Sequence, residues 1–176
     1  HGTAADPFVP DIVTIGKPMG NGMPIAATIM RPEVIAEFAQ DMRYFNTFGG
    51  NAVSIAAAQA VLDVVRDEHL QENARVVGGS LRTMLAELAH RHPVIGDVRG
   101  AGLFIGVELV VPGTDKEPDE ALTLRVVNGL RARHVLLGTA GIDNNILKVR
   151  PPVVFSQADA DRFVTELDAT LTDLGA

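Results

Sequence analysis

One lysine stands in a sequence context that could make its amine reactive. Lys17 follows an apolar stretch over residues 12–15 and precedes a loop containing two glycines and two prolines. This pattern predicts a short strand ending in a rigid loop, with the lysine at the junction. Partial burial beside Met19 and Met23 would disfavour the ammonium form and leave a nucleophilic amine, as in lysines that form Schiff bases.

The alternative is that Lys17 is a surface lysine beside a turn, and the general rarity of buried lysines favours it. Against it stands the low lysine content, three lysines beside twelve arginines. Of the other two, Lys116 lies in a polar loop rich in Gly and Pro, and Lys148 lies in an alternating strand pattern. Lys17 is therefore the lysine whose position is least well accounted for as an ordinary surface residue.

A second stretch, residues 44–51, combines a hydroxyl with a glycine pair directly before a predicted helix. Thr47 supplies the hydroxyl, and Gly49 with Gly50 could leave backbone N–H groups open to an anion at the helix start. The alternative is an ordinary glycine-rich turn followed by an Asn51 cap. The pattern therefore permits a phosphate site without requiring one.

Arg150 closes an alternating strand pattern and is followed by Pro151 and Pro152, which cannot continue a strand ladder. A guanidinium fixed at a strand end could bind a carboxylate through two hydrogen bonds. The alternative is a solvated or salt-bridged surface arginine, which is the commoner case.

Bulk properties exclude several function classes. A net charge of −7 and a pI near 5.1 argue against nucleic-acid binding. The chain has no cysteine, and its five histidines lack ligand spacing, so no metal site is expected. No apolar run approaches the ~18 residues of a membrane span, and no cleavable signal pattern is found, so we expect a cytoplasmic protein with no membrane partner. Proline after Gly16-Lys17 rules out a phosphate-binding P-loop.

The elements that must position these residues follow from periodicity and cap residues. We expect strands at residues 12–15, 25–30, 135–137 and 146–150, two strands around a turn at 99–102, and helices at 52–65, from about 70 to 91, and after Pro32, Asp119 and Ser156. The helix over residues 52–65 is apolar on nearly all sides, so we expect it to be buried on nearly all sides.

Four segments, residues 11–24, 44–51, 135–139 and 147–152, resemble class III aminotransferases, which are fold-type I enzymes dependent on pyridoxal 5'-phosphate (PLP). The resemblance covers nearly the whole chain and implies an α/β fold corresponding to the C-terminal part of such an enzyme. Residues 1–66 would complete the large PLP-binding domain, and residues 67–176 would form a small α+β domain.

The resemblance also implies residue roles. Lys17 would hold PLP as a Schiff base and act as the acid and base of proton transfer. Thr47 would contact the phosphate of the neighbouring subunit's PLP in a homodimer, in a loop shaped by Gly49 and Gly50. Arg150 would bind the substrate α-carboxylate.

The implied reaction transfers an amino group from an amino acid or amine to a 2-oxo acid. The segments are most similar to the branch with alanine–glyoxylate-type aminotransferases and amino-alcohol phosphate phospho-lyases, although Met23 and Ala52 depart from its usual residues. Elimination of phosphate from an amino-alcohol phosphate is therefore one alternative. A non-catalytic α/β dimerisation module built on residues 52–65 is another. We expect this chain alone to be inactive, or nearly so, and to bind PLP weakly.

Overall fold

The computed structural model describes residues 9–176, which divide into two compact units between Glu68 and His69. The boundary expected from the sequence lies two residues earlier, after residue 66. The two units are described separately below.

The first unit carries a two-stranded antiparallel sheet and two helices. Strand β1 (Ile12–Ile15) pairs with β2 (Ala27–Met30), and a 3-10 turn (Lys17–Gly20) begins the connection between them. Helices α1 (Pro32–Asp41) and α2 (Ala52–Asp67) follow. The expected strand at residues 12–15 is confirmed, and the one at 25–30 begins later, at Ala27.

Helix α2 begins at an asparagine cap, because the Asn51 side chain accepts a hydrogen bond from the Ser54 N–H at 3.0 Å. Its expected burial on all sides is wrong for the described residues. Only Ser54 and Ala58 are buried, while Val53 and Leu62 are 64% and 62% exposed. The small first unit has too few elements to cover the apolar surface of this helix.

The second unit packs three helices on a four-stranded antiparallel sheet. The elements in chain order are α3 (Leu70–Ala89), β3 (Ile95–Ala101), β4 (Phe104–Leu109), α4 (Glu120–Ala132), β5 (Gly138–Ala140), β6 (Ile146–Val149) and α5 (Gln157–Asp173). The spatial strand order is β3-β4-β6-β5. Helix α4 starts at the Asp119 cap, and α5 starts at a capping box in which Ser156 and Asp159 bond each other's backbone N–H.

Alternation along β4 and β6 decides which side chains reach the core. Ile105, Val107 and Leu109 point to the buried face of the sheet, as do Leu147 and Val149 of β6. They meet Leu81, Leu85 and Leu88 of α3, Val126 and Leu130 of α4, and Phe163, Leu167 and Leu171 of α5. The remaining residues of β6 therefore face the opposite side of the sheet.

The strand expected at residues 135–137 is wrong. Strand β5 lies at Gly138–Ala140, where Thr139 pairs with Leu147. The preceding apolar residues form the connection after α4: the Val135 N–H donates to Leu130 O, and Val135 and Leu137 pack on the core while Leu136 is 87% exposed. A three-residue apolar run did not distinguish this packed connection from a strand.

No helix among residues 9–176 is long and apolar enough to cross a membrane. Within the same residues, His, Asp and Glu side chains form no cluster of three suited to a metal ion.

Candidate active site

Lys17 is the first residue of the 3-10 turn and has a left-handed backbone, with φ of 49°. The turn is closed by hydrogen bonds from the Met19 N–H to Gly16 O and from the Asn21 N–H to Pro18 O. Such a backbone is uncommon for a residue with a side chain and occurs often at functional sites. The rigid loop predicted at Lys17 is thus found.

The predicted desolvation of Lys17 is not found. The side chain is exposed, whereas Met19 and Met23 are half-buried. No hydrogen bond or ion pair engages the Lys17 amine among residues 9–176, which leaves the amine accessible. The described part of the chain therefore presents the amine without enclosing it.

Close packing fixes the end of the lysine turn. Gly20 is buried, and a Cβ placed on it would lie 2.8 Å from Ile25 Cγ2. Helix α2 packs against this turn within the first unit. The element that carries Lys17 and the helix that follows Thr47 are thereby brought together.

The loop before α2 is organised by Asn46, a residue that the sequence analysis did not single out. Its Oδ1 accepts hydrogen bonds from the Phe48 N–H at 3.1 Å and from the Gly49 N–H at 2.8 Å. The Gly49 N–H is therefore not free for a ligand, contrary to expectation. An asparagine shortly before a glycine pair is the sequence signal of such a turn.

Donors for an anion remain at the end of this loop. Within the described residues, the N–H groups of Gly50, Ala52 and Val53 make no hydrogen bond, and the Thr47 side chain is exposed and unbonded. Gly50 has φ of 71°, and a Cβ placed on it would meet nothing within 4 Å. A hydroxyl and unpaired N–H groups at the start of a 16-residue helix suit a phosphate.

Arg150 lines a groove of about 440 Å³ in the second unit. Lys148, Pro151, Pro152 and Phe155 contribute to the same groove. Arg150 is exposed and forms no ion pair among residues 9–176, so its guanidinium is available to an anion.

Lys148 is a second cation on this side of the sheet. It pairs across the sheet with Gly106 of β4 and Gly138 of β5, so no side chain stands directly beside it on either neighbouring strand. The alternation of Lys148 and Arg150 in the sequence already placed them on one face. The groove that they share is also lined by Arg162 and by the carboxylate of Asp159, so three cationic side chains and one anionic side chain surround it.

The predicted site residues fall into two sets. Lys17, Thr47, Gly49 and Gly50 belong to the first unit, and Arg150 belongs to the second. The first set offers an amine and anion donors, and the second offers a cationic groove.

Comparison with known proteins shows the family to which the chain belongs. The model of the aminotransferase class-III family matches residues 1–171. An ethanolamine-phosphate phospho-lyase homolog from Caenorhabditis elegans is 43% identical over 98% of this chain and 37% of its own length. A mitochondrial alanine–glyoxylate aminotransferase 2 homolog from Arabidopsis thaliana is also 43% identical, over 98% of this chain and 36% of its own.

Among solved structures, a phospholyase from Arthrobacter in complex with phosphoethanolamine matches with a TM-score of 0.89. It is 40% identical over 94% of this chain and 39% of that protein. The chain thus spans little more than a third of the length of these relatives. With the family model matched over residues 1–171, the chain belongs to the class III aminotransferases.

Proposed function

We propose that this chain is part of a PLP-dependent aminotransferase that moves an amino group from an amino acid or amine to a 2-oxo acid. The observation that carries the proposal is the accessible Lys17 amine on a tight left-handed turn, in a chain that belongs to this family. Family membership alone would not say which of the three lysines holds the cofactor.

The amine, the hydroxyl and the backbone N–H groups of the first unit suit PLP, which has an aldehyde and a phosphate. An amine that makes no hydrogen bond or ion pair among residues 9–176, such as that of Lys17, is the group that bonds to a carbonyl carbon. The Thr47 hydroxyl and the N–H groups of Gly50, Ala52 and Val53 suit the phosphate. Gly49 supports this loop through its bond to Asn46.

When bound, PLP supplies an electron sink that stabilises negative charge at the substrate Cα. Lys17 Nζ would hold the cofactor and then carry the proton away from the substrate Cα and return a proton in the second half of the reaction. The Arg150 guanidinium would hold the substrate carboxylate and so orient the Cα–H bond.

We also propose a homodimer in which Thr47 serves the partner subunit's cofactor. Tyr44, Phe45 and Phe48 are 73%, 84% and 81% exposed, and α2 presents further apolar side chains. Apolar surface of this kind usually marks an interface. A second copy that covered it would also bring the Thr47 loop to a neighbouring site.

Phosphate elimination from an amino-alcohol phosphate is the second candidate. The phospho-lyase and aminotransferase relatives are equally similar to the chain, at 43% identity. The groove is lined by the cations Lys148, Arg150 and Arg162 and by one carboxylate, that of Asp159. A phosphate dianion could bind two of these cations, whereas a carboxylate carries a single charge.

Two assays on the full-length protein that carries this chain separate the candidates. Incubation with PLP, an amino acid and a 2-oxo acid tests amino transfer, and incubation with phosphoethanolamine tests phosphate release. Lys17→Ala should abolish whichever activity is found, with Lys116→Ala as the control that retains it. Full activity of Lys17→Ala would reject the proposal. The isolated 176-residue chain should show no turnover, because its Lys17 is not enclosed.

We propose the cytoplasm as the cellular location. The Arabidopsis relative is named as mitochondrial, and fractionation of cells that express the full-length protein decides between the two compartments.

A further inference from the structure

We infer that Asn73 is a positioning residue for Arg150. This inference rests on the proposed function of Arg150 as the group that binds the substrate anion. Asn73 lies in the first turn of α3, far from Arg150 in sequence, and is not part of the groove lining.

The Asn73 side chain holds the segment that follows Arg150. Its Nδ2 donates to Val153 O at 2.8 Å and to Phe155 O at 3.0 Å. An amide group has two N–H donors, so both hydrogens of this group are used. One side chain thus fixes two carbonyls of a segment that belongs to neither a helix nor a strand.

The clamped segment forms a wall of the cationic groove. Pro151, Pro152 and Phe155 line the groove together with Arg150. Their path is tightened by a turn in which the Phe155 N–H donates to Pro152 O at 3.0 Å. Movement of this segment would change both the groove and the backbone from which the Arg150 side chain extends.

Arg150 depends on anchors on both of its sides. Before it, Val149 is buried and pairs with Ile105 in the sheet. After it, the two prolines restrict the backbone but make no ladder bond. The segment beyond them is held by the two carbonyl bonds from Asn73, by the packing of Phe155 on the core and by the Ser156 cap of α5. Without the Asn73 bonds, this side of Arg150 would lose the hydrogen bonds that connect the segment to α3.

The inference predicts a specific kinetic pattern in the full-length holoenzyme. Asn73→Ala should raise the KM of the amino substrate about tenfold, since small misplacements of a binding group have effects of this size or larger. The kcat should fall by a smaller factor than KM rises, because Lys17 is untouched and only the orientation of the Cα–H bond is affected. Asn73→Asp should raise KM at least as much, since a carboxylate would face two carbonyl oxygens.

A double-mutant cycle tests whether Asn73 acts through Arg150. Arg150→Ala should raise KM by itself, and adding Asn73→Ala in that background should change KM less than about twofold. The matched control is Asn128→Ala, whose side chain donates only to Leu124 O of its own helix and which should leave KM unchanged. The inference would be overturned if Asn73→Ala raised KM by the same factor in the wild type and in Arg150→Ala. It would also be overturned if Asn73→Ala alone left KM unchanged.

Amide hydrogen exchange gives a readout independent of activity. Asn73→Ala should speed exchange at the Phe155 amide, while Arg150→Ala should not, since the bonds that hold the segment remain. Unchanged exchange in Asn73→Ala would overturn the inference. An unchanged KM in Arg150→Ala would reject the role of Arg150 and this inference together, and would leave the assignment of Lys17 standing.

Discussion

His92 and Asp168 form a half-buried pair in the second unit, with His92 Nε2 at 2.7 Å from Asp168 Oδ1. His92 Nδ1 lies 2.7 Å from the backbone oxygen of Ala176. The His92 ring therefore contacts both Asp168 of α5 and Ala176, which follows α5 in the chain. Hydrogen bonds from His92 and then from Arg91 hold the pKa of Asp168 below its usual value. The charged carboxylate is therefore the form that the fold favours.

This relationship predicts loss of stability in acid. The folded state lowers the pKa of Asp168, so the charged carboxylate contributes to the free energy of unfolding. This contribution is fully present above the pKa of an unfolded aspartate, and it is lost as the pH falls through the pKa of Asp168 in the folded state. Asp168→Asn should lower the free energy of unfolding by about 2 kcal/mol at pH 7 and weaken its dependence on acid pH. Urea unfolding at several pH values measures both.

The control for Asp168 is Asp161→Asn on the same helix, where the carboxylate accepts only from the exposed Gln157. This variant should unfold like the wild type. Equal stability of Asp168→Asn and wild type at pH 7, with the same acid dependence, would contradict the prediction.

Two adjacent glycines of α3 should respond oppositely to alanine. A Cβ on Gly78 would overlap the backbone carbonyl of Gly102, whereas a Cβ on Gly79 would meet nothing within 4 Å. Gly78→Ala should therefore destabilise the second unit by more than about 2 kcal/mol. Gly79→Ala should stabilise it by about 0.5 to 1 kcal/mol through helix propensity.

Thermal unfolding of both glycine variants tests this contrast. Similar melting temperatures for Gly78→Ala and Gly79→Ala would mean that α3 does not approach Gly102 as closely as described.

Replacing two leucines of the second unit by alanine should change the free energy of unfolding by very different amounts. Leu147 of β6 is fully buried, and Leu136 is 87% exposed. Leu147→Ala should lower the free energy of unfolding by about 2 to 5 kcal/mol. Leu136→Ala should change it by less than about 0.5 kcal/mol. Urea unfolding of the two variants measures the difference, and a large effect of Leu136→Ala would place that side chain in a packed site.

The proposed contribution of Thr47 to the partner subunit's site is tested by mixing two impaired variants, Lys17→Ala and Thr47→Val. Lys17→Ala dimers should be inactive, and Thr47→Val dimers should bind PLP more weakly. If Thr47 serves the partner's cofactor, each mixed dimer contains one site with both native residues, and PLP affinity at that site returns to normal.

If Thr47 instead serves its own subunit, the mixed dimers contain no intact site, and the activity stays impaired at low PLP concentration. Thr165→Val is the control, because its hydroxyl donates to Asp161 O on the surface of α5. It should bind PLP like the wild type.

Much of the local structure was predictable from the sequence because its signals are local. The cap residues Asn51, Asp119 and Ser156 marked three helix starts, an apolar run marked β4, and alternation marked β6. The mixed α/β class expected from the family resemblance is confirmed by the fold and by the match to related solved structures. The lysine turn was marked by its glycines and prolines.

Other features depend on contacts that no local pattern encodes. Asn73 bonds carbonyls about eighty residues away, and His92 bonds Asp168 across a similar separation. Strand β5 was misplaced because its three residues are set by pairing with β6 rather than by their own apolarity. Burial of α2 was expected from composition, but the described part of the first unit covers only the side of α2 that carries Ser54 and Ala58.

The covalent bond between PLP and one lysine tests the central claim most directly. The full-length protein would be loaded with PLP, reduced with borohydride and digested, and the peptide carrying the pyridoxyl mass would be identified. The account predicts the label on Lys17 and none on Lys116 or Lys148, with Lys116→Arg and Lys148→Arg labelled like the wild type. A label on either of those lysines, or an undiminished label in Lys17→Ala, would contradict it.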